Sequence, residues 1–111
     1  MHEPTFLILT SLAEGRKHGY ALISDAAELS DGRVTLKVGT LYAALDRLAR
    51  EGLIIAAGEE VADGRLRRYY ELTGVGRQQL ADEAASMAEL AKRASARLAT
   101  IRPIAPRVVT A

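Results

Sequence analysis

Apolar residues recur at helical spacing in three short stretches in the first half of the chain. The first stretch begins at Pro4, a residue suited to the first turn of a helix, and ends before Gly15. The second runs from Gly19 to Leu29, and the third covers about residues 38–51 and is closed by Gly52. Three short helices joined by tight turns are the minimum for a helix-turn-helix core, and the pattern predicts such a core.

The third helix divides its residues between two faces. Leu41, Leu45 and Leu48 fall on one side, at i, i+4 and i+7. Roughly opposite, counting about 100° per residue, lie Thr40, Ala43, Arg47 and Arg50, with Tyr42 and Asp46 on one shoulder. A helix that enters a DNA groove needs this division of faces. A solvated amphipathic helix would show the same leucine stripe.

The pattern changes from helical to strand-like after the third helix, with runs at 53–61 and 65–72. Ala62-Asp63-Gly64 separates the runs, and Asp-Gly is a strong hairpin signal because both residues tolerate positive φ. These runs predict a two-stranded hairpin. Residues 16–18, between the first two helices, are predicted to form a short polar turn.

A long helix is predicted to follow the hairpin. Thr73 is a suitable N-cap, and the stretch from Arg77 to about Ile101 is rich in alanine and free of proline and glycine. Apolar residues recur in it at alternating spacings of four and three, as a coiled-coil seam requires. The seam consists of Leu80, Ala84, Met87, Ala91, Ala94, Leu98 and Ile101. A second copy of the chain is the simplest cover for such a helix, so we expect a homodimer.

The predicted fold class is therefore mainly α with a two-stranded β-hairpin wing, that is, a winged helix-turn-helix with a long C-terminal dimerisation helix. The DNA-binding domain is expected over residues 1–73, with the recognition helix at about 38–51 and the wing at 53–72. The dimerisation helix is expected over 74–101. Residues 102–111 contain two prolines and are predicted to form a tail that does not continue the helix.

Composition argues against catalysis. The 111 residues include no cysteine, and the chain has no Gly-x-Ser-x-Gly motif and no glycine-rich phosphate loop, so we expect neither an enzyme nor a bound cofactor. His2 and His18 have no second ligand at metal-binding spacing, and no metal site is expected. Nothing resembles a signal peptide or membrane span, which favours a cytoplasmic protein without membrane contact.

Charge adds a local rather than a global signal. The formal net charge is only +1, but Arg65–Arg68 holds three arginines in four residues. Phosphate neutralisation is expected from Lys37, Arg47, Arg50, Arg65, Arg67 and Arg68, although ordinary surface charge would look the same. Arg47 is the first choice for a base contact, because arginine can bridge guanine O6 and N7. Arg65, at the wing tip, suits a narrow minor groove.

Three motifs, in order, resemble the PadR-type transcriptional regulators. His18-Gly19-Tyr20 resembles their HGY segment, Gly39-Thr40-Leu41-Tyr42 with the later Gly52-Leu53-Ile54 resembles their GTLY…GLI segment, and Arg68-Tyr69-Tyr70-Glu71-Leu72-Thr73 with Gly76 resembles their R.YY.LT..G signature. Together the motifs cover roughly residues 6 to 80. The single C-terminal helix is similar to that of the smaller PadR subfamily.

The resemblance implies a dimeric DNA-binding regulator, usually a repressor released by a small molecule, that binds an inverted repeat. By position, it adds Tyr20, Thr40 and Tyr42 to the expected DNA contacts and supports Arg68. An effector pocket between the two copies is a further expectation. The chain departs from its relatives at Lys37-Val38, at Ala43 and at Asp46, where an acid would either repel phosphates or select a cytosine amino group.

A different class of function is also compatible with the predicted fold. A winged helix can serve as a protein-contact module without DNA, with the long helix as the docking element. Flat salt dependence and the lack of preference for any promoter fragment would favour that alternative.

Overall fold

A computed structural model describes residues 1–100, so the predicted seam residue Ile101 and the predicted tail at 102–111 lie outside the described part. The four helices are α1 (Glu3–Leu12), α2 (Gly19–Leu29), α3 (Val38–Arg50) and α4 (Gly74–Thr100). The three strands are β1 (Lys17–His18), β2 (Ile54–Ala62) and β3 (Arg65–Leu72). The predicted class, a winged helix-turn-helix with a long last helix, is confirmed.

The core of the first compact unit, Met1–Ala81, forms where the apolar stripes of the first three helices meet. Its fully buried large side chains are Ile8, Leu9 and Leu12 of α1, Leu22 of α2, and Leu41, Leu45 and Leu48 of α3. Burying each leucine contributes about 2 kcal/mol. The stripe predicted for α3 is thus the face that fixes this helix to the domain, and it leaves the opposite side of α3 exposed.

The sheet has three strands rather than the predicted two. Its order is β1-β3-β2, and all pairs are antiparallel. The prediction of a polar turn at residues 16–18 was wrong because Lys17 and His18 pair with Tyr70 and Tyr69 of β3. Two residues without apolar alternation give no strand signal of their own, and their conformation depends on a partner strand some 50 residues further along the chain.

The hairpin itself forms as predicted, with a two-residue turn. Asp63 and Gly64 both have positive φ, 52° and 75°, which matches the twist of the flanking strands. The pairing is regular near the turn and shifts between Ala56 and Glu59, where β2 contains a bulge.

Arg16 holds the bulge of β2 to the connection between α1 and α2. Its guanidinium lies 4.2 Å from the centre of the Tyr69 ring and donates a hydrogen bond of 2.9 Å to the carbonyl of Ala57. The His18 ring meets the same tyrosine edge-on, with ring centres 5.4 Å apart. Tyr69 therefore packs between residues of the α1–α2 connection on the outer face of the sheet, whereas Tyr70 packs against the core.

A polar network ties α1 to α2 beneath the sheet edge. The Lys17 ammonium lies 2.8 Å from the Asp25 carboxylate and 3.2 Å from the hydroxyl of Ser11, which is fully buried and itself donates to Asp25. Hydrogen bonds from Lys17 and Ser11 hold the pKa of Asp25 below its usual value. Burial opposes the charge of Lys17, but its carboxylate partners outweigh that effect and raise its pKa.

Helix α4 begins at a cap that is fixed to the end of α3. Thr73 donates its hydroxyl to the Gly52 carbonyl at 2.6 Å and accepts from the Gly76 amide at 2.9 Å, as predicted for an N-cap. Its own amide donates to the Leu53 carbonyl at 3.1 Å. Gly76 is buried against the Leu53 backbone, so closely that a Cβ there would overlap the carbonyl oxygen of Leu53.

The second compact unit begins at Asp82 and contains the remainder of α4. From Ala84 onward, every described side chain of this helix is exposed, including Met87 and Leu98. Within residues 1–100, no helix combines the length and the apolar character that crossing a membrane requires.

Candidate nucleic-acid interface

The exposed side of α3 carries most of the residues that the sequence marked on this helix. Lys37, Thr40, Tyr42 and Arg50 are all exposed, because the three leucines of the helix face the core. Within residues 1–100, the side chain of Arg50 has neither a hydrogen bond nor an ion pair. It is therefore available to a phosphate or a base edge without breaking an existing contact.

Arg47 lies on the α1 side of the helix and has two partners there. Its guanidinium donates to the hydroxyl of Thr5 at 2.9 Å and lies 3.8 Å from the carboxylate of Glu51. The side chain is 45 % exposed, so it is accessible, but a base contact would require it to leave Thr5. Its assignment as the first base-contacting residue remains a prediction.

An open cleft of about 460 Å³ lies between the start of α2, the side of α3 and the wing. It is lined by His18, Gly19, Tyr20, Tyr42, Asp63, Arg65, Leu66, Arg67 and Arg68. The fold thus brings together five of the predicted DNA-contacting residues, the two tyrosines and the three wing arginines. Lys37, Thr40, Arg47 and Arg50 lie outside this cleft, on α3 or at its start.

Each wing arginine already has a partner within the protein. Arg65 donates to the Tyr20 hydroxyl at 3.1 Å, and its guanidinium lies 5.9 Å from the centre of that ring. Arg67 lies 3.8 Å from the Asp63 carboxylate. Exposed pairs of this kind contribute little to stability, so the arginines can exchange them for phosphates at small cost.

Arg68 pairs with an acid of the neighbouring strand, Glu59, at 3.5 Å. Glu60 accepts a hydrogen bond of 2.7 Å from the Tyr69 hydroxyl, and this bond raises the pKa of Tyr69. Burial raises the pKa of Tyr70. Both tyrosines are therefore neutral donors near physiological pH, and Tyr69 is already committed to Glu60.

His18 has a role that sequence reasoning missed. Its Nδ1 atom accepts a hydrogen bond of 3.3 Å from the Ala21 amide, so this side chain caps α2. Burial, and then the charge of Arg67, lowers the pKa of His18 and keeps the ring neutral, as an acceptor must be. The signal in the sequence for this cap was the position of His18 directly before Gly19, the first residue of α2.

Within residues 1–100, no group of three or more histidine, aspartate or glutamate side chains could hold a metal ion.

Gly19 permits a close approach between α2 and α3. A Cβ at this position would lie 2.6 Å from the Tyr42 hydroxyl, at the far end of that side chain. The glycine therefore leaves room for Tyr42 to lie against the start of α2. This contact helps to define the floor of the cleft.

The fold and this surface define a DNA-binding winged-helix protein. The model of the transcriptional regulator PadR-like family matches residues 8–82, which is most of the chain. The chain belongs to the PadR-like family of transcriptional regulators.

Relatives in sequence and structure agree with this assignment. The chain is 38% identical over 85 residues to the transcriptional regulator Rv3488 of Mycobacterium tuberculosis, covering 77% of this chain and 76% of the relative. A PadR family transcription regulator from Clostridium difficile R20291 superposes with a TM-score of 0.69 at 28% identity, covering 87% of this chain and 99% of that one.

A further structural relative is described as PadR of Bacillus subtilis in complex with operator DNA. It has a TM-score of 0.63 and 27% identity, and the match covers 72% of this chain but only 46% of that one. The shared part therefore corresponds to about half of the DNA-bound relative.

Proposed function

We propose that this protein is a homodimeric transcriptional repressor that binds an inverted-repeat operator and is released by a small-molecule effector. Residues 1–73 would bind DNA and residues 74–101 would join the two copies. The single observation that best supports the DNA-binding part is the cleft in which Tyr20 and Tyr42 face three wing arginines, beside the exposed side of α3. We place the protein in the cytoplasm, where its operator would be.

DNA recognition would divide between the two parts of this surface. Lys37 and Arg50 on α3, and Arg67 and Arg68 in the wing, neutralise phosphates and supply most of the affinity. Thr40, Tyr42 and Tyr20 donate to phosphate or sugar oxygens and fix the register of the protein on the duplex. Arg47 leaves Thr5 to contact a base in the major groove, and Arg65 enters the neighbouring minor groove.

The proposal of a dimer rests on the exposed apolar side chains of α4. Met87 is 50% exposed and Leu98 is 78% exposed, whereas Leu80 is half-buried and already packs against the core of its own domain. The remaining described seam residues, Ala84, Ala91 and Ala94, are exposed and small enough to let two helices approach closely. A two-fold dimer would present two copies of α3 to two half-sites of a pseudo-palindrome.

Binding of the purified protein to its own upstream DNA tests the DNA-binding part. We expect tighter binding to that DNA than to a scrambled duplex of equal length, with log K falling linearly with log salt. The double variant Arg47→Ala/Arg65→Ala should bind both duplexes more weakly while retaining its circular dichroism spectrum. The variant Arg93→Gln is the control for loss of charge away from the assigned surface, since it removes one exposed positive charge from α4, outside the predicted seam.

Unchanged operator affinity of the double variant would refute the assigned surface. Weak binding to every duplex with a flat salt dependence would instead support a protein-contact module. Sedimentation tests the dimer separately: Met87→Lys should shift the protein towards monomer, and Arg93→Gln should not. Transcription in vitro from the bound promoter, with and without the protein, then decides between repression and activation.

A further inference from the structure

We infer that Asp46 determines operator sequence by accepting a hydrogen bond from the exocyclic amino group of a cytosine in each half-site. This inference rests on the proposed function, because it requires α3 to lie in the major groove. It goes beyond that function by assigning one base and one side chain to each other.

The position of Asp46 on α3 is the first argument. Counting about 100° per residue from the buried stripe of Leu41, Leu45 and Leu48, Asp46 lies about 130° away, on the exposed side. Arg47 lies at a similar angle in the other direction, towards α1 and Thr5. The two residues therefore flank the outermost line of the helix, one on each side.

The outermost line of α3 is made partly of very small residues. Gly39 and Ala43 lie almost opposite the leucine stripe, and both are exposed. The space around Gly39 is open, with no atom within 4 Å of the position a Cβ would take. Arg50 lies on the same line in the last turn of the helix, so only the first two turns have little side-chain bulk there and can approach the base edges closely. The short side chain of Asp46 then reaches a base.

The unpaired carboxylate is the second argument. Three other acids near this surface, Glu51, Glu59 and Asp63, each lie within 4.0 Å of an arginine nitrogen, and Glu60 accepts a hydrogen bond from the Tyr69 hydroxyl. The Asp46 carboxylate, by contrast, has no hydrogen bond or ion pair within residues 1–100, although the free Arg50 is one helical turn away. Its charge acts on the Tyr70 phenol, whose pKa it helps to raise, but that neutral group does not neutralise it. An unpaired acid facing DNA weakens binding through phosphate repulsion unless a base donor compensates for it.

The chemistry of the base edges selects the donor. A carboxylate only accepts, and in the major groove amino donors are offered by cytosine N4 and adenine N6. Adenine places its N7 acceptor beside that amino group, where it would repel the carboxylate. Cytosine places a C–H there instead. Guanine and thymine present acceptors on the same edges, so Asp46 disfavours them.

The test is binding to a set of operator duplexes in which each base pair of the half-site is replaced in turn, with wild-type protein, Asp46→Asn and Asp46→Ala. For the wild type, we expect one cytosine whose replacement lowers affinity about tenfold. Asp46→Asn should shift the preference at that position towards adenine, because an amide can both donate to N7 and accept from N6. Asp46→Ala should bind the duplexes that differ only at that base pair with similar affinities.

Glu28→Gln is the matched control. It removes one exposed negative charge from α2 and should leave every base preference unchanged. If Asp46→Ala strengthens binding equally on all duplexes and the cytosine preference persists, Asp46 only repels phosphates and the inference is wrong. If the wild type shows no preference for its operator over scrambled DNA, the proposed function fails first. These two results are distinguishable because only the second removes the preference at every position.

Discussion

Replacing Gly76 by alanine would place a methyl carbon against the backbone of Leu53. The added Cβ would overlap the Leu53 carbonyl oxygen and lie 2.8 Å from the carbonyl carbon and 3.1 Å from Cα. These are backbone atoms at the point where α3 ends and β2 begins, so they cannot rotate away as a flexible side chain would. The first turn of α4 must therefore move away from Leu53.

The expected loss follows from the bonds that this movement breaks. Thr73 donates to the carbonyls of Leu53 and Gly52, and its hydroxyl accepts from the amide of Gly76. Each such bond contributes about 1 kcal/mol, so losing all three costs about 3 kcal/mol. Alanine returns about 1 kcal/mol of helix propensity, and residual strain adds roughly 1 kcal/mol to the cost. The free energy of unfolding should fall by about 3 kcal/mol.

Urea and thermal unfolding, followed by circular dichroism at one fixed protein concentration, would measure this change. A loss of that size should lower the melting temperature by roughly 10–20 °C in a chain of this length. Gly74→Ala is the control, because it changes the same residue type in the same helical turn, where no atom lies within 4 Å of the new Cβ. It should leave stability unchanged or raise it by up to about 1 kcal/mol.

If Gly76→Ala were as stable as the wild type, like the Gly74→Ala control, the packing argument would be refuted. That result would mean that the start of α4 can shift relative to Leu53 without cost, and that Gly76 is not required by its contact. A loss in both variants would point instead to a general intolerance of alanine in the first turn of the helix.

Three further outcomes are expected. Folding lowers the pKa of His18 below its ordinary 6.5, so the contribution of this side chain to stability should be complete above pH 6.5 and decline as the pH falls. His18→Asn keeps a cap for the Ala21 amide but removes the titrating group. Thermal scans at pH 5–7 should therefore show a smaller decline in stability for this variant than for the wild type. Tyr20→Phe should weaken operator binding about fivefold in fluorescence anisotropy, because it removes the hydroxyl that is proposed to donate to a phosphate or sugar oxygen. Gly64→Ala, at φ 75°, should cost about 1 kcal/mol in urea unfolding.

Much of the fold could be predicted because its signals are local. The limits of α2 follow from Gly19 and the turn after Leu29, and the hairpin follows from Asp63-Gly64. The cap of α4 follows from Thr73. In each of these segments a residue type that ends or begins an element stands beside a clear apolar period.

What the sequence did not predict depends on contacts between distant residues. Strand β1 forms because β3 pairs with it, and Arg16 crosses the Tyr69 ring to reach Ala57. The same holds at the candidate site. The α3 face was predicted from periodicity, but the bond from Arg47 to Thr5 depends on how α1 packs beside α3, which no spacing within either helix encodes.

The bulge in β2 also bears on how copies of this protein associate. Because β2 is one of the two outer strands of the sheet, its free edge offers unpaired backbone groups to any other extended chain. The bulge interrupts that edge at Ala57-Gly58, and the Ala57 carbonyl already accepts a hydrogen bond from Arg16. The next two residues of the strand, Glu59 and Glu60, are negatively charged. An edge of this kind resists strand-to-strand aggregation. The β2 edge of the wing is therefore a poor template for strand pairing between two copies of the domain.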